Sequence, residues 1–175
     1  MCPRCRRSHP QVERARAVGE YDGALRLIIQ AIKYEGRRSL AIPLGRLMRT
    51  RGADLLEGAD AVVPVPLHRS RLSERGFNQA ADLAGPLGVP LRDALRRIRR
   101  TPTQTGLPAA QRHRNVRNAF AVTRAGRSLA GATVVLIDDV CTTGATLEAC
   151  ARTLREAGVR EIRALTAARR RIQDS

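Results

Sequence analysis

Aromatic residues are nearly missing from this chain: 175 residues hold no tryptophan, two phenylalanines and two tyrosines. The core must be built from Leu, Val, Ile and Ala, and the shortage argues against a platform on which single-stranded bases stack. Lysine is scarcer still. Lys33 stands alone, in Ala31-Ile32-Lys33-Tyr34, with no glycine loop before it. That removes the G-x-x-x-x-G-K-[ST] loop of nucleotide hydrolases. No G-x-G-x-x-G opens the chain, which removes a dinucleotide-binding fold. No apolar run approaches the ~18 residues of a membrane helix, and the N-terminus lacks the apolar core of a signal peptide. The expectation is a cytoplasmic protein with no membrane insertion.

Arginine is what the chain has in excess. The formal net charge is +16, with 32 basic residues against 16 acidic ones. Arginine forks match phosphate geometry. A polyphosphate substrate, a nucleic acid held by its backbone, and a coding bias for arginine over lysine each account for part of this, and a single small substrate needs only a few arginines.

The stretch Thr133-Val134-Val135-Leu136-Ile137-Asp138-Asp139-Val140-Cys141-Thr142-Thr143-Gly144-Ala145-Thr146 carries the chemistry. Its β-branched apolar run reads as a strand buried on both faces of a parallel sheet. Two carboxylates end the run, and a turn of hydroxyls and one glycine follows. Leu147, Cys150, Ala151 and Leu154 then share a helix face that stops at Gly158. A helix N-terminus after a strand suits a phosphate. Thr142, Thr143 and Thr146 add hydroxyl donors, and Gly144 lets backbone approach a ligand. Asp138 and Asp139 would repel a bare anion, but suit sugar hydroxyls or a metal-bound group. The stretch reads as a sugar-phosphate site. The plain alternative, a turn with two solvated acids, leaves this coincidence of three features unexplained.

A second anion site is expected after the short strand Ala61-Val62-Val63-Pro64-Val65-Pro66. Leu67 to Gln79 reads as a loop with three arginines and a histidine, before a helix from Gln79 to Leu87. Arg71 and Arg75 are its candidate ligands. His68 is either a ligand or a packing histidine, and Asn78 and Gln79 either meet substrate or open the helix. Further elements are expected as weak alternation over residues 12–19, a helix over 24–34, a second helix N-capped by Ser39, a short strand over Val89 to Leu91, a strand at Ala119 to Val122, and a final strand over Val159 to Thr166. Lys33 and Arg37 either face the substrate or form a solvated helix end, and the solvated end is the reading preferred here. Leu95 to Asn118 lacks periodicity, is rich in arginine and broken by proline and glycine, and reads as a mobile basic lid or as a disordered loop. Ala167 to Ser175 reads as a basic tail.

Cys2-Pro3-Arg4-Cys5 is a C-x2-C knuckle, with His9 as a third candidate ligand. A structural zinc needs four. The expectation is the second half of a zinc ribbon whose first half is missing because the start codon is placed late. Zinc at Cys2 and Cys5 is then expected only for a truncated N-terminus.

Val134 to Thr146 resembles the phosphoribosyl-pyrophosphate (PRPP) motif of type I phosphoribosyltransferases. The order of the cysteine knuckle, Tyr21-Asp22-Gly23, Ile32-Lys33-Tyr34, Pro64-Val65-Pro66-Leu67-His68, Arg75-Gly76-Phe77-Asn78-Gln79, Thr101-Pro102-Thr103-Gln104 and Arg112-His113-Arg114-Asn115-Val116 resembles the ComF family of phosphoribosyltransferase-like proteins. The resemblance implies an α/β type I phosphoribosyltransferase fold, a mainly parallel sheet flanked by helices, over residues 19–175, after an incomplete zinc-ribbon-like segment over 1–18. It implies PRPP with Mg2+ as ligand. Asp138 and Asp139 would be the catalytic pair on the ribose hydroxyls, and Cys141, Thr142, Thr143, Gly144, Ala145 and Thr146 would hold the 5′-phosphate. His68, Arg71 and Arg75 would hold the pyrophosphate, and Gln104, Arg114 and Asn115 would belong to the flexible loop. The family is associated with DNA uptake and natural competence, so DNA and competence or DNA-processing proteins join PRPP as expected partners. Two functions remain open: transfer of the phosphoribosyl group to a nitrogen acceptor, or a non-catalytic PRPP-responsive adaptor associated with DNA. No segment reads as a hood for a nucleobase.

Overall fold

The computed structural model describes residues 11–99 and 118–170. Among these, one parallel sheet orders its strands β1-β6-β5-β2: β1 is Arg14–Glu20, β2 Ala61–Pro64, β5 Thr133–Cys141 and β6 Glu161–Arg169. A separate antiparallel pair joins β3, Leu95–Arg97, to β4, Phe120–Val122. The helices are α1 Gly23–Tyr34, α2 Ala41–Arg51, α3 Ala53–Leu56, α4 Arg69–Arg75, α5 Gln79–Ala84, α6 Arg124–Arg127 and α7 Ala145–Glu156.

β5 is central because its run is apolar on both sides. Val134 and Leu136 enter a core shared with α7, Leu95 of β3 and Phe120 of β4. Val135 and Ile137 enter a second core on the opposite face, shared with α1, α2 and α5. This period-2 alternation splits the molecule into two helical layers with the sheet between them. The chain leaves β2 for α5 on one face and leaves β5 for α7 on the other. The carboxyl ends of β2 and β5 therefore flank a switch point, where open α/β sheets bind ligands.

Several local expectations change. Ser39 does not cap α2: Arg38–Leu40 form a 3-10 turn and α2 starts at Ala41, with Leu40 as its cap residue. Pro43 lacks an N–H and falls in the first turn, where helix donors are unpaired anyway. Val89 to Leu91 is not a strand. It makes one bridge, Val62 to Leu91, with Pro90 unable to donate to a ladder. The loop after Pro66 contains α4, closed by Gly76 at φ 78°. β5 runs past both carboxylates to Cys141, and β6 runs past Thr166 to Arg169. Its extension pairs Ala168 with Gly19 and Arg169 with Glu20 of β1, and buries Ala167 and Ala168. β1 itself starts at Arg14, so the sheet crosses the boundary drawn between residues 18 and 19. The stretch expected to be aperiodic from Leu95 begins instead as strand β3. Among the described residues, no helix is long and apolar enough to cross a membrane.

Candidate functional site

Strand alternation assigns each carboxylate of β5 its surroundings. Asp139 follows Val135 and Ile137 onto the α1 face. There Lys33 Nζ lies 2.7 Å from Asp139 Oδ2, with side chains only 17% and 7% exposed. Burial alone would lower the Lys33 ammonium, but Asp139 and then Asp138 more than offset it, and its pKa stays above the ordinary value. Lys33 is therefore not the solvated helix end expected from sequence.

Asp138 follows Val134 and Leu136 toward the other layer, where its charge is felt by Arg97, Cys141 and Cys150. Its Oδ1 accepts the Asp139 backbone N–H at 2.9 Å. Burial first, and the Asp139 charge second, push its carboxyl up from 3.8 to about 7. The same burial, with Asp138 beside it, raises the Cys141 thiol, so Cys141 stays neutral. Its carbonyl accepts the Arg170 N–H at 2.9 Å.

Past Cys141 the chain turns sharply. Gly144 takes φ 77° and ψ −5°, and a Cβ there would meet nothing within 4 Å. The space over the turn is open, as backbone approach to a ligand requires. Thr143 Oγ1 accepts the Ala145 N–H at 3.4 Å, and α7 begins there. The first free N–H groups of this 12-residue helix border the turn.

The opposite wall comes from the segment after β2. The ring of His68 caps α4, its Nδ1 accepting the Ser70 N–H at 3.3 Å and lying 2.9 Å from Ser70 Oγ. Asn78 opens α5: its Oδ1 accepts the Ala80 N–H and its Nδ2 donates to the Val65 carbonyl, both at 3.1 Å. Gln79 is buried and accepts from Arg75 at 2.6 Å, so it steers that arginine.

These walls enclose a cavity of about 280 Å3 that Asp138, Asp139, Thr142 and Thr146 share with Arg71 and Arg75. The structure thus brings together the acid pair, two threonines of the cradle and both arginines. Cys141, Thr143, Gly144 and Ala145 form the turn beneath, and His68 serves as a cap beside it. Cys2, Cys5, His9, Gln104, Arg114 and Asn115 lie outside the described residues. Sequence reasoning missed Tyr21, Tyr34, Arg97 and Arg170, which also line the cavity, and ranked a place there for Lys33 below a solvated helix end. One signal was available: the chain's single lysine ends an apolar helix. With five cations against two carboxylates, the cavity is built for a polyanion. Among the described residues no three His, Cys, Asp or Glu side chains converge on a point, and Asp139 already has Lys33 as counter-ion. This donor set fits a Mg2+ that arrives on the oxygens of a polyphosphate rather than one caged by protein.

Comparison with known proteins gives this geometry a family. Residues 72–174 match the phosphoribosyl transferase domain model. Competence protein F of Haemophilus influenzae is 33% identical over 171 residues, covering 92% of this chain and 75% of that protein. DNA utilization protein YhgH of Escherichia coli O157:H7 is 36% identical over 170 residues, covering 90% of this chain and 72% of that one. Competence protein ComFC of Bacillus subtilis is 38% identical over 97 residues, covering 55% of this chain and 39% of its own. The sheet order, the motif after β5 and these matches together make the chain a member of the ComF family of proteins with a phosphoribosyltransferase domain.

Proposed function

We propose that the cleft binds PRPP as its Mg2+ complex and that the protein transfers the phosphoribosyl group to a nitrogen nucleophile. The observation that carries this reading is convergence. A hydroxyl-and-glycine turn at a helix N-terminus, an acid pair and two arginines from a distant segment face one cavity. The 5′-phosphate sits on the N-terminus of α7 with the threonine hydroxyls. Asp138 accepts hydrogen bonds from the ribose hydroxyls, while Arg71 and Arg75 pair with the pyrophosphate. In the transfer, the bond from the anomeric carbon to the pyrophosphate oxygen breaks and its electron pair leaves with pyrophosphate. The carbon–nitrogen bond forms, and the acceptor nitrogen gives up a proton. Bound Mg2+ supplies charge neutralisation on the leaving group. The arginines add to that neutralisation.

A second reading, a PRPP-responsive adaptor without turnover, draws on the charge. The five cations of the cleft are a small part of the 32 basic residues, which leaves a basic surface for a nucleic-acid backbone.

A thermal-shift titration with PRPP, with and without Mg2+, tests the shared premise. At about 100 times the Kd, binding to the folded state is expected to raise Tm by about 5–10 °C, and by less without Mg2+. An unmoved Tm at millimolar PRPP rejects the site. Pyrophosphate release in the presence of amine and nucleobase acceptors then separates the readings: release supports transfer, and binding without release supports the adaptor.

A further inference from the structure

α1 is anchored in the core by Ile29 and Ile32, 1% and 2% exposed, and its last turn is closed by the Glu35 N–H donating to the Ala31 carbonyl. Two consecutive residues leave that turn in different directions, about 100° apart around the helix. Lys33 runs inward to Asp139 on β5, at 2.7 Å. Tyr34 is 75% exposed, and its ring lies under the Arg75 guanidinium of α4, 5.6 Å from guanidinium carbon to ring centroid. Asp139 belongs to the half of the cleft with the threonine turn, and Arg75 to the half with the arginines.

The geometry points to a positioning role for this turn: Lys33 sets Asp139, Tyr34 sets Arg75, and α1 thereby aligns the ribose half of the cleft with the pyrophosphate half. The inference rests on the PRPP reading and deepens it. Lys33 neutralises one member of the acid pair and leaves Asp138 as the carboxylate open to a sugar. The residue type is consistent with that task. In a chain that otherwise uses arginine, this contact is a buried single point, where a guanidinium would bring five donors to satisfy. Arg75 has two supports, the Tyr34 face and Gln79 Oε1 at 2.6 Å, which together fix the direction of an arginine otherwise free to sweep solvent.

Fragment ligands read the two halves separately. Ribose 5-phosphate and pyrophosphate are titrated in Mg2+ buffer against wild type, Lys33→Met, Tyr34→Leu and Tyr34→Phe. Lys33→Met is expected to weaken ribose 5-phosphate by about tenfold or more, because the acid pair loses its counter-ion, and to leave pyrophosphate within about twofold. Tyr34→Leu is expected to weaken pyrophosphate about threefold and leave ribose 5-phosphate unchanged, and Tyr34→Phe, which keeps the ring face, is expected to behave as wild type. Equal losses of both fragments in Lys33→Met and Tyr34→Leu, or no loss in either, overturn the proposal. If wild type binds neither fragment, the PRPP reading falls, and the Lys33 link is decided without ligand. Lys33→Met should lower Tm, and Lys33→Met with Asp139→Asn should recover most of the loss, since the uncompensated charge is gone. Absence of recovery overturns the link.

Discussion

Asp138→Asn is expected to raise the Tm of the ligand-free protein at pH 8 while removing most of its affinity for PRPP. Asp138 holds its proton to about 7, through burial first and the Asp139 charge second, against 3.8 for an ordinary aspartate. Between these values the folded state binds more protons than the unfolded one. Stability from this group is therefore complete below about pH 4 and declines as pH rises through about 7. Asparagine carries no such cost and keeps an Oδ1 acceptor for the Asp139 N–H, now met at 2.9 Å. The gain at pH 8 is on the order of 1–2 kcal/mol, a few °C in Tm, and vanishes near pH 4. The loss is functional. An amide offers one acceptor oxygen and turns an NH2 toward ligand hydroxyls, so PRPP affinity falls by roughly 10- to 100-fold. Wild-type affinity should climb with pH through about 7, and in the variant only the ligand's own phosphates should shape the profile. The charged groups around Asp138 (Asp139, Lys33 and Arg97) remain in both proteins, so the comparison isolates one carboxyl. A variant less stable than wild type at pH 8 would contradict the account of Asp138.

Gly126→Ala carries the largest expected loss of stability. A Cβ on Gly126 would lie 2.3 Å from the Ala94 carbonyl oxygen and 2.4 Å from Val122 Cγ2. Neither can retreat cheaply. The Ala94 carbonyl already accepts the Thr123 N–H at 2.9 Å, and Val122 pairs with Leu95 between β3 and β4. Thr123 ties the corner further, taking the Gly126 N–H at 3.1 Å and donating to the Asp93 carbonyl at 2.7 Å. The added methyl must lift α6 off the hairpin, at about 3 kcal/mol or more, which is about 10 °C in Tm. Because β3 carries Arg97 into the cleft, PRPP affinity should fall with it. Gly85→Ala is the control. Gly85 has nothing within 4 Å of a Cβ, and its αR backbone before Pro86 is only mildly unfavourable for alanine, so that change should cost about 1 kcal/mol or less, far below the Gly126 change. Chemical denaturation and PRPP titration of both variants check the pair.

The parts of the site legible in sequence are those written in consecutive residues. The run before Asp138 reads as a strand buried on both faces, and the hydroxyls and Gly144 after it read as a turn into a helix, as the structure has them. The residues missed are those that tertiary structure brings in. Lys33 reads first as a solvated end rather than a cleft residue because it ends a helix whose inner face is apolar, and its partner Asp139, on the α1 face of β5, is distant in sequence. Arg97 sits on a strand of three residues whose partner strand lies beyond a long arginine-rich segment, too short for any periodicity to show. The helix inside the arginine loop was hidden for a related reason. Arg69–Arg75 buries no side chain, so it has no apolar stripe, and its evidence is a histidine cap and a left-handed Gly76. Asn78 and Gln79 were recognised as candidates, but their division of labour, cap and arginine guide, depends on Val65 and Arg75 being near.

Amide hydrogen exchange with and without PRPP and Mg2+ tests the central claim at its location. The account predicts that PRPP slows exchange by at least about fivefold in the turn Thr142–Thr146 and the first turn of α7, and also around Arg71 to Gln79. The exposed α2 face at Ile42 and Leu47, away from the cleft, should be unaffected. Protection confined to regions outside both segments, or none at saturating PRPP, would contradict it.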